Sequence, residues 1–276
     1  MQLKKGVIVL NNRIILCDDS HGSSELASKY VTGQRRTYVG VEIDYNCQKG
    51  LSNAIDKWRD EISPVVKGVS AFHFTDVLNC RPGTVWENKR DWAFATFDAF
   101  ALLFEKYQIE TFVQTIEPYS LKDRANIPKE LMGIKIENNS HVAFLFMISR
   151  ILRTRQKEDC IRLLVEESDD TRKAGNVISS SRTNPDLILD FQSKQNNLLQ
   201  FADFAAFMVN RMNHIEAKGR VTSDVDEKML EIGSKIAKTI NCKTMICTDI
   251  DLNEDLKTQF EVMRILDRDS KKLPLL

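Results

Sequence analysis

The sequence predicts an α/β domain, a mixed sheet flanked by helices, and three observations carry that prediction. Short apolar, β-rich runs alternate with longer stretches of helical spacing, as at Trp86–Tyr107 followed by Ile109–Ile116, and such alternation builds a sheet covered by helices. Three of the apolar runs end directly on an acid: Leu16-Cys17-Asp18, Thr115-Ile116-Glu117 and Leu164-Val165-Glu166. A helix-spaced stretch, Asn196–Arg211, carries a lone acid, Asp203, among Leu199, Phe201, Ala202, Phe204, Ala205, Ala206 and Phe207.

In chain order, Gly6–Leu10 and Arg13–Cys17 flank Asn11-Asn12 as a hairpin. Arg36–Tyr45 alternates as a further strand of this early, antiparallel part. Leu51–Ile62 is an amphipathic helix stopped by Pro64. Phe72-His73-Phe74-Thr75-Asp76 precedes a turn at Pro82-Gly83, and Trp86–Tyr107 is a Phe-rich helix. His141–Arg153 is an apolar helix with a basic exit, and Cys160–Val165 and Asp186–Phe191 are the last strands before the Asp203 helix. After His214 the pattern shifts to a linker, a helix over Asp224–Ile240, a strand over Lys243–Thr248 and a polar helix over Asn253–Asp267. We therefore expect a main domain over residues 1–213 and a small C-terminal α/β appendage over 214–276 that packs on it or on a partner.

Composition narrows the class. A chain of 276 residues with 42% hydrophobic and 28% charged residues builds an ordinary globular core. Lys+Arg and Asp+Glu both number 39, so no overall field draws the protein onto nucleic acid or an anionic membrane. That excludes a dedicated DNA-coating protein but leaves room for a local basic groove. Six scattered cysteines without paired spacing read as reduced thiols of a cytosolic protein. The N-terminal apolar run is too short for a signal peptide, and the most apolar helix, Trp92–Phe104, is interrupted by Asp98 and too short for a bilayer. The expectation is a soluble, cytoplasmic protein with no membrane partner.

The acids carry the chemistry. In open α/β sheets ligands bind beyond the carboxyl ends of strands, so strand-end acids can converge there, with Asp203 on a helix laid across them. Several carboxylates in one small site need a counter-charge, and a carboxylate inside an apolar helix needs a partner opposite it. Mg²⁺ or Mn²⁺ supplies both, and paired ions about 4 Å apart activate water and stabilise the leaving oxygen of a phosphodiester. Any one strand-end acid is more simply the start of a loop; several of them together with Asp203 are not. The basic exit at Arg150, Arg153 and Arg155 could contact nucleic-acid phosphates, though most such runs are solvated helix ends.

These residues resemble a family. Cys17-Asp18-Asp19-Ser20-His21-Gly22 is similar to the D-E-S-G signature of the domain-of-unknown-function 3800 family, whose members have a ribonuclease-H-like fold. The likeness continues at Phe72–Asp76, at Leu163–Glu167 and at Gln200–Asp203, where the family has Q-x-A-D, and so spans about residues 13–213. The sequence departs from the family at Asp19 in place of Glu, at the inserted His21 and at Glu166 in place of the more usual Asp. The resemblance implies a metal-dependent nuclease with Asp18 and Asp203 as metal ligands. Glu166 fits the third ligand by the motif, while Glu117 ends the preceding strand and suits the same fold. Asp19, Glu167 and Gln200 would support the site. His73 or Asp76 would orient water, transfer a proton or bind a second ion, the alternative for His73 being a structural histidine between two phenylalanines. Two other classes stay open: a non-catalytic adaptor that binds a protein or nucleic acid, as a homo-oligomer or through its appendage, and a hydrolase of a small nucleotide phosphoester.

Other motifs lead nowhere. Asp249–Asp255 begins like an EF-hand loop, but Glu254 stands where glycine is required and Phe260 at the bidentate Glu position. Asp98, with apolar neighbours on both sides, reads as a structural acid.

Overall fold

The structure is a computed structural model that describes residues 13–21, 36–116, 161–168, 171–172, 187–218, 221, 223–237 and 240–241, with shorter pieces between 130 and 151. In chain order the elements are β1 (Arg13–His21), β2 (Arg36–Asp44), α1 (Gln48–Ile62), α2 (Phe74–Asn79), α3 (Arg90–Tyr107) and β3 (Glu110–Ile116). There follow β4 (Glu130–Leu131), β5 (Ile134–Lys135), β6 (Ile161–Glu166), β7 (Leu187–Gln192), α4 (Leu199–Lys218), α5 (Asp224–Ile236) and β8 (Ile240–Asn241). The mixed sheet runs β7-β6-β1-β2-β3-β8, with β1, β2 and β3 an antiparallel meander. β6 lies parallel to β1, β7 parallel to β6, and the two-residue β8 parallel to β3.

β1 runs through the centre of the sheet. Ile14, Ile15, Leu16 and Cys17 are all buried, the unbroken apolar run expected of a strand covered on both faces. Because side chains alternate, Ile14, Leu16 and Asp18 share a face with their cross-strand partners Ile43, Val41 and Val39. α1, α3 and α4 cover that face, and nine rings pack between and around them: Phe72, Phe74, Trp86, Phe97, Phe100, Phe104, Phe201, Phe204 and Phe207. Phe74 is the hub, with edge-on contacts to Phe97, Phe100 and Phe204 at centroid distances of 5.0, 4.8 and 5.0 Å. Such pairs contribute about 0.5–1.5 kcal/mol each beyond the area they bury. They also fix where the chain on either side of Phe74 can lie.

On the opposite face, positions 140, 143, 144, 147, 148 and 151 are helical and buried, the spacing of one helix side. Tyr38 tilts against Phe144 with centroids 5.2 Å apart, and its hydroxyl lies 3.2 Å from that of Ser140. Gly40 lets this helix come close: a Cβ there would stand 3.1 Å from both Ile15 Cγ2 and Ile151 Cδ1.

Several elements differ from the sequence reading at their ends. α3 begins at Arg90 because residues 86–89 form turns and Asn88 takes the left-handed region (φ 58°), which asparagine tolerates better than most residues. α5 stops at Ile236 because Ile240 and Asn241 pair with Thr111 and Phe112, a tertiary contact that propensity cannot foresee. α4 runs on to Lys218, so position 213 lies within a helix. The Gly6–Leu10 strand, the Lys243–Thr248 strand and the Asn253–Asp267 helix lie outside the described residues.

α5 is bound to the rest by charge as well as by apolar contact. Asp226, fully buried, pairs with Arg211 of α4, and its backbone N–H donates to the Ser223 hydroxyl that caps the helix. Asp98 of α3 accepts from Lys228 at 2.8 Å and Lys235 at 2.9 Å. Burial works against the Asp98 charge, but the two lysines outweigh it and hold the carboxyl below the usual range. Asp98 is thus the structural acid of the α3–α5 seam.

Candidate active site

The alternation of three neighbouring strands builds the site. Leu16 of β1 stands opposite Leu164 of β6, so two residues further along Asp18 and Glu166 emerge side by side on the same face. Leu164 stands opposite Asp190 and Glu166 opposite Gln192 of β7, which continues the row. Lys194 follows two residues later, in the turn that leads to α4. Its ammonium lies 2.6 Å from Glu166 Oε1.

α4 crosses this face against β1 and β2, and brings Asp203 to the acids. Asp18 feels all of them. Burial first, then the charges of Asp203 and Glu166 and a hydrogen bond with Glu166, push its carboxyl well above the ordinary range, and Asp19 adds to the effect. Asp18 is 6% exposed, so water does little to relieve the crowding. The Asp19 backbone N–H donates to Asp18 Oδ1 at 2.8 Å and fixes the carboxyl in place.

Asp203 reaches the site by way of the Phe72–Phe74 segment. Gln200 Oε1 accepts from the Phe72 N–H at 3.0 Å, and one turn later Asp203 Oδ2 accepts from the Phe74 N–H at 3.3 Å. The Gln200 and Asp203 pair therefore clamps alternate amides of an extended stretch. The same Oδ2 lies 3.1 Å from His73 Nδ1, whose side chain is half exposed. The hydrogen bond to Asp203 raises the His73 imidazole above its usual value against an opposing effect of burial, with the charges of Asp203 and Asp76 assisting. A raised imidazole stabilises the fold fully below its unfolded value of 6.5 and loses that contribution as pH rises through the folded value. In Asp203→Asn, His73 should titrate lower, close to that unfolded value, as read from its ring protons by NMR. An unchanged titration would dismiss the pair.

The remaining sequence candidates separate from this cluster. Asp76, in the first turn of α2, lies 4.0 Å from Arg81 and acts on His73 only through its charge. Asp19 stands opposite Tyr38, on the sheet face away from Asp18. Glu167 faces outward, bound to Arg172 by two hydrogen bonds. Gln200 positions the Phe72 backbone. Glu117, Arg150, Arg153 and Arg155 lie outside the described residues.

Lys194 is the residue that sequence reading missed. Burial opposes its charge, yet the hydrogen bond to Glu166 and the fields of Glu166, Asp18 and Asp203 prevail and raise it. Nothing along the chain marked it: Lys194 sits in a polar turn past the end of β7, and only the strand pairing sets it beside Glu166.

Every donor in the cluster apart from His73 is a carboxylate oxygen, the chemistry that Mg²⁺ and Mn²⁺ prefer, so the donor set suits such an ion. Among the described residues no three His, Cys, Asp or Glu donors already stand at ligand spacing around one point. Closing them on an ion would need Asp18 in its charged form, which burial and its neighbours oppose, and the ammonium of Lys194 to move away. Cys17, Cys47 and Cys80 are free thiols, and burial pushes the Cys17 thiol up, away from reactivity. No described helix is long and apolar enough to cross a membrane.

No family model, curated protein or solved structure matches the chain.

Proposed function

We propose that the protein is a divalent-metal-dependent nuclease of ribonuclease-H-like architecture that hydrolyses phosphodiester bonds. The observation that carries this reading is that Asp18, Glu166 and Asp203, from three distant segments, lie close enough that burial and the charges of the other two raise the Asp18 carboxyl well above the ordinary range. An antiparallel meander continued by two parallel strands, with acids on the first strand, on its parallel neighbour and on a covering helix, suits that architecture. The resemblance to the domain-of-unknown-function 3800 family points the same way.

Asp18, Glu166 and Asp203 would hold Mg²⁺ or Mn²⁺, which when bound supplies Lewis-acid activation of water and of the phosphoryl oxygen. Asp203, through Oδ2, keeps the Nδ1 of His73 protonated, and that ring is exposed enough to pass a proton to or from a substrate. Phe74 and Gln200 hold His73 and Asp203 in register, so the dyad does not have to be organised by the substrate.

The test is cleavage of single- and double-stranded DNA and RNA with Mn²⁺, Mg²⁺ or chelator. Mn²⁺-dependent cutting that disappears in Asp203→Asn is the expected result, and cutting that survives this change rejects the assignment. Activity confined to mononucleotides would move the protein to the small-phosphoester class.

One observation favours a second reading, a non-catalytic adaptor: the Lys194–Glu166 pair already offsets part of the negative charge. The two readings separate on the melting temperature, which Mn²⁺ raises for the enzyme and leaves unchanged for the adaptor.

A further inference from the structure

We propose that Lys194 is a tethered counter-cation that competes with the divalent ion for the carboxylate pocket, so that metal binding and the Lys194–Glu166 pair exclude each other. The inference rests on the metal-dependent reading above.

Its position is the first argument. The lysine lies in the turn just past β7, and its ammonium sits 2.6 Å from an oxygen of Glu166, one of the three acids assigned to the ion. The carboxylates that favour its charge are Glu166, Asp18 and Asp203, the same three.

Its attachment is the second. The side chain is 67% exposed against 16% for Glu166, so the stem lies in water while the tip reaches a sheltered acid. An arm held only at its tip leaves without disturbing the core and recovers rotamer freedom when it does. Its base is firm: the Ser193 carbonyl accepts from the Asn196 N–H at 2.9 Å, and the Ser193 hydroxyl from the Gln195 N–H at 3.3 Å. The turn therefore returns the ammonium to the same place whenever the pocket is free. Such a device lets the acids stay folded together in the absence of the ion and sets the ion concentration at which the site fills.

The experiment compares wild type, Lys194→Met and Lys194→Arg. Mn²⁺ binding is followed by titration calorimetry, and melting is measured in chelator. Lys194→Met keeps the stem and removes the competitor, so it should bind Mn²⁺ about two- to fivefold more tightly, the weight of a part-exposed ion pair. In chelator it should melt below wild type, because three acids then face each other without the ammonium, and adding Asp18→Asn should recover the loss. Lys194→Arg should resemble wild type in both measurements. Equal or weaker Mn²⁺ binding by a folded Lys194→Met protein overturns the competition and leaves the metal site standing. Absence of Mn²⁺ binding in all three proteins instead overturns the metal-dependent reading, and the competition with it.

Discussion

Asp18→Asn should abolish Mn²⁺-dependent cleavage and, in the same protein, raise the melting temperature measured in chelator. The two effects share one cause. Asp18 is buried beside Glu166 and Asp203, which raise its carboxyl well above the ordinary range. The charged form that an ion requires is therefore the form the metal-free fold resists. For an acid whose folded value is raised, the stabilising contribution is complete below the unfolded value, near 3.8, and is lost as pH rises toward the folded value. Asparagine has no proton to lose. It keeps an Oδ1 to accept from the Asp19 N–H, as the carboxylate does at 2.8 Å. The variant should gain on the order of 1–3 kcal/mol at pH 8, the usual scale for relieving an ill-satisfied buried polar group. For a chain of this size that is roughly 2–10 °C. The gain should shrink to nothing as the pH falls to 3.8. Cleavage should drop by on the order of a thousandfold or more, because a ligand and its electrostatic contribution to the transition state are lost together. Calorimetry at two pH values and a cleavage assay measure both halves. A variant that melts like wild type at pH 8 would mean that the three acids do not act on one another.

Asp226→Ala should be the most damaging single change to stability outside the aromatic core. Asp226 is fully buried, accepts from Arg211 of α4, and lies in the first turn of α5, where a negative charge also favours the helix N-terminus. Removing it strands a mostly buried guanidinium, at a cost of about 3–5 kcal/mol. Arg211→Met with Asp226→Leu should recover most of that loss, since an apolar pair of similar volume replaces the ion pair without leaving a charge unpaired. Urea unfolding of the three proteins measures it. A loss under 1 kcal/mol in Asp226→Ala would show that α5 adds little to the fold.

Much of the fold was legible in the sequence. Strands β1, β2, β3, β6 and β7 and helices α1, α3, α4 and α5 were foreseen as elements, though β1 and α4 run well past their expected ends, because one or two buried faces impose an apolar period that local sequence must obey. Boundaries shifted where a single residue or a distant pairing decided them, as at Asn88 and at Ile240. Site residues divided along the same line. Asp18 and Glu166 announce themselves as acids after apolar runs, although β1 continues past Asp18 to His21 by pairing with β2, and Asp203 announces itself as an acid within an apolar helix. Lys194 announces nothing: a lysine in a polar turn looks solvated until strand pairing sets it beside Glu166.

The amino-acid order by itself determined that acids follow certain apolar runs and that one acid interrupts the apolar face of α4, since these are properties of neighbours along the chain. Only the tertiary structure decided which of them meet. The parallel pairing of β1 with β6 aligns Asp18 and Glu166 on one face, the pairing of β6 with β7 brings the turn that carries Lys194 beside Glu166, and the seating of α4 across that face adds Asp203. Whether a carboxylate is an ordinary surface acid or one whose charge the fold opposes depends on its burial and on the charges brought up against it, and those come from segments far apart in the sequence.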